Sequence, residues 1–317
     1  MHRLAIVTTS YRNDLDWCRI LCESIDRFVP EEIMHYLFVE DRDVSLFKRL
    51  ENKRRRVISQ NEIIPWWMLR LPFRFRGHYF RISPVTLPVR GWIAQQVVKL
   101  GVFEVLDEDV ILCLDSEAFF FRSFDPSSLF KGDKVMMVRH EEPWDWPNAK
   151  VYYRAAHDLL GIKPDGSPMK RYMSVQFVFR REVLRELAER LRIKNIFGSW
   201  KIPLFNRKRF SEYTLYGIFV ERIMGFERSG HFPAGEFLIR YVGPKSYGHR
   251  IDNLEKLLSG FEPLPGEVGC FYRKGGQRRR ESVRMLLFTR RWFINYGREL
   301  TVNRWIFQFL VLVMWVV

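Results

Sequence analysis

The stretch "GWIAQQVVKLGVFEVLDEDVILCLDSEAFFF", residues 91–121, decides the fold. Gly91 opens a helical run extending to Leu106, and the apolar run from Val110 that follows has the character of an interior β-strand. That strand ends in two carboxylates, Asp115 and Glu117, separated by a single serine. Burying an unpaired carboxylate costs several kcal/mol, because the group must shed its hydration or take up a proton. Two together therefore require a compensating cation: a metal ion, an arginine, or a strand end open to solvent.

Upstream the same alternation repeats. "LAIVTTS" (4–10) reads as a buried strand, and after the turn signal Arg12-Asn13-Asp14 the residues Leu15, Cys18, Cys22, Ile25 and Val29 recur at helical spacing until Pro30. "HYLFVED" (35–41) is a second strand with acids at its carboxyl end, and "RVISQNEII" (56–64) a third. Alternating hydrophobic strands and helices predict an α/β fold with a largely parallel sheet flanked by helices. Ligands of open α/β sheets bind outside the carboxyl ends of the strands. Ser10, Glu40, Asp41, Asp115 and Glu117 all fall at such ends.

At 317 residues, 47% hydrophobic and 15% aromatic, the chain can bury a large core. The opening apolar run Leu4–Thr9 is too short for a signal peptide, which predicts a cytoplasmic body. The four cysteines (18, 22, 113 and 270) form neither a disulfide framework nor a paired zinc pattern, and are expected to be small core residues in a reducing compartment. The formal charge is +15, and residues 270–317 concentrate it, with ten Arg or Lys against two Glu. That segment ends in the uncharged run "WIFQFLVLVMWVV", Trp305–Val317. Thirteen helical residues reach about 20 Å against a hydrocarbon core of about 30 Å, so the tail can dip into a bilayer without crossing it. Packing on the sheet or an oligomer contact is the alternative.

The segments "LAIVTTSYRNDLDWCRILCESI", "HYLFVEDRD", "GWIAQQVVKL", "ILCLDSEAFFFRSFD" and "FSEYTLYGIFVE", spanning roughly residues 4–260, resemble the GT-A-type nucleotide-sugar glycosyltransferases. More narrowly, they resemble a bacterial group of DxD-containing glycosyltransferases of unassigned specificity associated with surface polysaccharides. The resemblance implies a GT-A (Rossmann-like) domain over 1–265, with a nucleotide-sugar half (1–125) and an acceptor half (126–265). Residues 266–317 would be a basic, apolar-ended, membrane-associating helical extension. It also implies a UDP- or GDP-sugar donor, Mn2+ or Mg2+, and a glycan or lipid-linked acceptor. The leaving diphosphate's growing charge needs a cation, and a divalent metal on hard oxygen ligands suits it.

By this resemblance Asp115 and Glu117 take the DxD places, Glu117 as metal ligand and Asp115 reaching metal or ribose. Glu117 is one methylene longer than the family's usual last aspartate. Asp41 stands where ribose or base is held, although a solvated loop acid reads the same. Thr8 and Ser10 line the nucleotide pocket, and Gln95, Gln96 and Lys99 face the donor or form a polar helix face. Glu212, with Ser211 as N-cap, is the candidate general base, or a charged first turn that complements the helix dipole. His231, with His249 as competitor, is a candidate metal ligand. Acids and tryptophans meet in "RHEEPWDWPN" (139–148), which either binds sugar, with Asp145 a second catalytic candidate on the acceptor side, or uses Trp144 and Trp146 as loop anchors.

Two basic segments complete the reading. "KRRR" (53–56) is most simply a solvated helix end, and "RLPFRFRGHYFR" (70–81) alternates arginine with aromatics, a pattern suited to phosphate or a lipid-linked diphosphate. No nucleic-acid fingerprint accompanies the charge. The expected activity is hexosyl-type transfer on the inner face of a bacterial inner membrane. A catalytically silent sugar-nucleotide-binding or scaffold protein, and a nucleotidyltransferase, are the competing classes.

Overall fold

A computed structural model describes residues 2–75, 78–140, 148–174, 176–193, 196–235, 239–242 and 268–271, with backbone alone at 74, 75, 78, 239–242 and 268–271. The chain runs β1 (Leu4–Ser10), α1 (Leu15–Phe28), β2 (Met34–Val39), α2 (Val44–Phe47), β3 (Arg55–Ser59), β4 (Leu69–Phe75), β5 (His78–Ser83), β6 (Thr86–Arg90), α3 (Gly91–Gly101) and β7 (Val110–Leu114). It continues through β8 (Ala118–Phe120), β9 (Phe130–Lys131), β10 (Lys134–Val138), α4 (Ala149–Leu160), β11 (Gln176–Arg180), α5 (Arg181–Ile193), α6 (Lys201–Phe205), α7 (Glu212–Phe219), α8 (Phe226–Ser229), β12 (His231–Ala234), β13 (Ile239–Val242) and β14 (Val268–Phe271).

The central sheet has the order β11-β7-β1-β2-β3, parallel throughout except for β11, which runs antiparallel to β7. Its strands alternate between two apolar faces. Ile6, Val110, Leu112, Leu114 and Val178 pack with Leu21 and Ile25 of α1. Val7, Ile111, Cys113, Phe177 and Phe179 pack with Val97 of α3, Leu187 of α5 and Tyr216 of α7. Each such side chain contributes about 1.5–3 kcal/mol on full burial, so helices on both faces hold the sheet. Cys18, Cys22 and Cys113 are buried free thiols, as small core residues would be.

The order of the strands positions the site. The chain winds from β1 outward to β2 and β3, then returns to the other side of β1 as β7. The gap between the carboxyl ends of β1 and β7 is thus a topological switch point, where crossovers leave in opposite directions and a crevice opens. Ser10 ends one of these strands and Asp115 follows the other.

Three local expectations change. The third strand stops at Ser59, because Ser59 Oγ accepts the Asn61 amide and starts a 3-10 turn. The helix from Gly91 ends at Gly101 instead of Leu106; a Cβ there would stand 2.4 Å from Ile63 Cγ2, so only glycine admits the close packing of this end. "KRRR" is no solvated helix end: Arg54 and Arg55 are buried at the start of β3. Arg54 donates to the carbonyls of Val29 (2.7 Å), Pro30 (2.6 Å) and Ile33 (2.8 Å), satisfying orphan acceptors past the end of α1, while Arg55 reaches Asp26 at 2.6 Å and the Cys22 carbonyl at 2.9 Å. Local charge density cannot reveal burial, because the compensating acceptors come from a distant helix.

Candidate functional site at the β1–β7 switch point

The cation demanded by the acidic strand end is Lys99. Strand alternation sends Ile111, Cys113 and then Asp115 toward the face covered by α3, and α3 presents Lys99 there. Its ammonium donates to Asp115 Oδ1 (2.8 Å), Glu212 Oε1 (3.1 Å) and the Tyr213 hydroxyl (2.8 Å), so all three of its donors are used. The side chain of Lys99 is buried, and that of Asp115 is 32% exposed. Burial disfavours the charge of Lys99, but Asp115, Tyr213 and Glu212 together hold its pKa well above the ordinary lysine range.

α7 is docked onto α3 by the same helix face. Gln96, one turn before Lys99, accepts the Glu212 amide at 3.1 Å, and Ser211 Oγ accepts the Thr214 amide at 3.3 Å as the N-cap. Gln96 and Lys99 therefore act on Glu212 from adjacent turns. Glu212 itself is only 5% exposed, and burial raises its pKa despite the neighbouring lysine. Its carboxylate sits inside the ion-pair network, not on a surface open to an acceptor hydroxyl. Gln95 is half-buried on the same helix.

Across the switch point, Ser116 Oγ donates to Ser10 Oγ at 2.9 Å, tying the ends of β7 and β1 together. Glu117 follows with its pKa pushed up to about 7, first by burial and then by the negative charge of Asp115, with Asp14 adding to it. Among the described residues, Lys99 pairs with Asp115 and Glu212, while Glu117 has no ion pair and holds its proton more tightly instead. Two carboxylates with hard oxygen donors at a crevice fit a divalent cation completed by ligand phosphates. Among the described residues, no group of three or more His, Cys, Asp or Glu side chains forms a self-sufficient metal site.

Other sequence candidates fall elsewhere. Thr8 is fully buried, its Oγ1 accepting from His35 Nε2 at 3.2 Å, because Arg55 Nε donates to His35 Nδ1 and fixes the neutral tautomer. Thr8 is thereby turned to the sheet interior, away from the crevice. His231 is not brought to the acids: its Nδ1 bonds the Val135 carbonyl at 3.0 Å, and its Nε2 accepts the Tyr216 hydroxyl at 2.7 Å. Burial also pulls its pKa down to about 4. Asp41 is exposed beyond β2 and accepts from Ser59 Oγ at 3.2 Å. Asp145, Trp144, Trp146, His249 and the tail Trp305–Val317 lie outside the described residues.

Sequence reasoning missed two features. Gln176 stands opposite Leu114 in the β11–β7 ladder, on the α1 face of the sheet, and its buried Nε2 finds no partner among the described residues. A lone glutamine at the head of a strand gives no signal of this. Asp43, fully buried past β2, holds the Arg12 guanidinium at 2.6 Å and accepts the Arg12 amide at 3.0 Å, which braces the loop after β1.

Residues 3–235 match a protein family described as of unknown function (DUF6492). No curated protein matches the chain. Among solved structures, an active-site mutant of LgtC is similar at 14% identity and a TM-score of 0.45, covering 88% of this chain and 91% of that one. The galactosyltransferase LgtC in complex with donor and acceptor sugar analogs gives 14% and 0.44, with 95% and 98% covered. Mouse xyloside xylosyltransferase 1 in its apo form gives 10% and 0.42, with 84% and 97% covered.

Proposed function

The chain belongs to the family of unknown function DUF6492, and we propose that it transfers a glycosyl group from a nucleotide-sugar donor to a glycan acceptor. The observation that carries this reading is the under-neutralised pair Asp115 and Glu117 at the β1–β7 switch point, with Glu117 pushed up to about 7. Such a cluster favours a divalent cation, Mn2+ or Mg2+, on Asp115 and Glu117. When bound, the cation would offset charge on a departing nucleoside diphosphate.

The chain's own residues supply orientation. Lys99 holds Asp115 through Oδ1, which leaves Oδ2 outside that ion pair. Gln96 and Glu212 hold Lys99 and α7 in place, a positioning role. Ser10, through Ser116, sets the approach of the two strand ends. Asp41, Gln95 and the segment around Asp145 extend the proposed donor and acceptor sides. We further assign the domain division at residue 265, a lipid-linked acceptor of a surface polysaccharide, and attachment of the 266–317 segment to the inner membrane face to this reading.

The test is a screen of UDP- and GDP-sugars for nucleotide release by the full-length protein with Mn2+ or Mg2+. Turnover by the wild type that EDTA and Asp115→Asn abolish supports the proposal. Release of pyrophosphate from a nucleoside triphosphate instead identifies nucleotidyl transfer, and binding without turnover identifies a sugar-nucleotide-binding protein.

A further inference from the structure

Between Glu62 and Glu104 the sequence contains no acidic residue, yet it carries Arg70, Arg74, Arg76, Arg81, Arg90 and Lys99. Most of this segment folds as the antiparallel sheet β4-β5-β6. Soluble antiparallel sheets turn apolar side chains to the core and polar ones to water. Here the inward face carries arginines beside the buried Val89, and the other face leaves some apolar side chains exposed although Phe80 on it is buried under Arg90. On the inward face, Arg70 pairs across the ladder with Arg81, which is buried, and Arg81 with Val89 in the core. Arg70 reaches Glu40 at 3.3 Å and stacks on Tyr79 with its guanidinium 4.1 Å from the ring centre, and Arg81 donates to the Met68 carbonyl at 3.4 Å, so both described arginines of this face point into the protein.

The outward face carries Leu69, 62% exposed, and Phe73, 57% exposed, with Leu69 opposite Ile82. Trp66, 89% exposed, precedes β4, while Leu87 on β6 and Trp92 at the start of α3 are exposed at its margins. Cations rim the patch. Arg90 is exposed, and Asn206 clasps the start of β6 through the Leu87 amide (2.8 Å) and the Val85 carbonyl (3.4 Å), with the exposed Lys208 two residues further along the chain. Exposed tryptophan, leucine and phenylalanine so close together in one segment are uncommon on a soluble surface and mark an interaction site. Aromatic side chains beside a cationic rim, with no acid in the segment, match the interface of an anionic bilayer.

We propose that the outward face of the β4-β5-β6 sheet docks on an anionic lipid bilayer. The surface is distinct from the 266–317 segment and does not depend on the glycosyl-transfer reading. It bears on that site, because α3 packs on this sheet and delivers Lys99 to Asp115. Docking would hold the switch-point crevice at a fixed height above the membrane.

The experiment is flotation of the full chain with phosphatidylcholine vesicles, with and without phosphatidylglycerol. It compares wild type, the triple variant Trp66→Ser, Leu69→Ser, Phe73→Ser, and the control Ile193→Ser, Phe197→Ser, which removes exposed apolar side chains elsewhere. All positions are exposed, so thermal midpoints should match. The wild type should bind the anionic vesicles, the triple variant should lose at least about tenfold in partition coefficient, and the control should stay within about twofold. The proposal is overturned if the triple variant binds like the wild type, if the control loses as much, or if the wild type ignores anionic vesicles. It is also overturned if the triple variant turns a dimer into a monomer while vesicle binding is unchanged, since the face is then a contact between copies of the chain.

Discussion

Two charged clusters stand at carboxyl ends of the same parallel sheet, and their balance differs. Past β2, Glu40 and Asp43 meet Arg12, Arg42 and Arg70, with Asp43 to Arg12 at 2.6 Å, Glu40 to Arg42 at 2.8 Å and Glu40 to Arg70 at 3.3 Å. Both of these acids have a guanidinium, and the exposed Asp41 between them accepts from Ser59 Oγ. Past β7, among the described residues, Lys99 pairs with Asp115 and Glu212, and Glu117 beside them has no ion pair. A balanced cluster braces loops and leaves nothing for a ligand cation to do. An unbalanced one stores electrostatic demand, and that demand is what a binding site looks like before its ligand arrives.

The comparison breaks hardest at Lys99. Lys99→Met leaves Asp115 and the buried Glu212 without their cation, and removing one partner of a buried pair costs about 3–5 kcal/mol. Chemical denaturation should show that loss. A cost below about 1 kcal/mol would mean that the network is not held by the lysine. Next in size is Gly217→Ala on α7, where the new Cβ would stand 2.3 Å from Tyr172 Cδ1; overpacking of this kind costs about 1–3 kcal/mol. It should lower the melting temperature while leaving the charge cluster chemically unchanged, which separates packing of α7 from its electrostatics.

At the balanced cluster, Asp43→Asn should cost only about 1–2 kcal/mol, because the Arg12 side chain is 45% exposed and can rehydrate when its partner is lost. A loss as large as that of Lys99→Met would erase the distinction between the two strand ends.

The smallest effect is one of pH. With no divalent cation present, Glu117 has its pKa raised from 4.5 to about 7 in the folded protein. The folded state then holds the proton more tightly than the unfolded chain. The associated stability is complete below about pH 4.5 and is lost as pH rises through about 7. Glu117→Gln should flatten this slope in a stability-versus-pH series, and Mn2+ should reverse it in the wild type by favouring the carboxylate. An unchanged slope in the variant would assign the titration to another group.

Much of this architecture is legible in sequence. β1, α1, β2 and the acids at the end of β7 follow from apolar runs, helical spacing and the position of Pro30, all of them local signals. Lys99 was recognisable as facing the site but not as its counter-ion, because the pairing depends on which turn of α3 lies over Asp115. Glu212 announces a capped helix start, yet its burial comes from Gln96 and Lys99 more than 110 residues away in the chain. The arginines of β4 and β5 looked like a ligand surface; alternation alone cannot say which face turns inward. Histidine is equally mute: His231 is consumed by Tyr216 and a carbonyl that only the β10–β12 pairing supplies.

The most direct test of the unbalanced cluster is isothermal titration of Mn2+ into the full-length protein in the presence of UDP or GDP. Wild type, Asp115→Asn, Glu117→Gln and Asp43→Asn are compared. Binding should weaken at least about tenfold in each of the two β7-end variants, as loss of a charged ligand implies, and stay at the wild-type level in Asp43→Asn. Equal Mn2+ affinity in all four proteins, or a loss in Asp43→Asn as large as in Glu117→Gln, would contradict the assignment of the cation to Asp115 and Glu117.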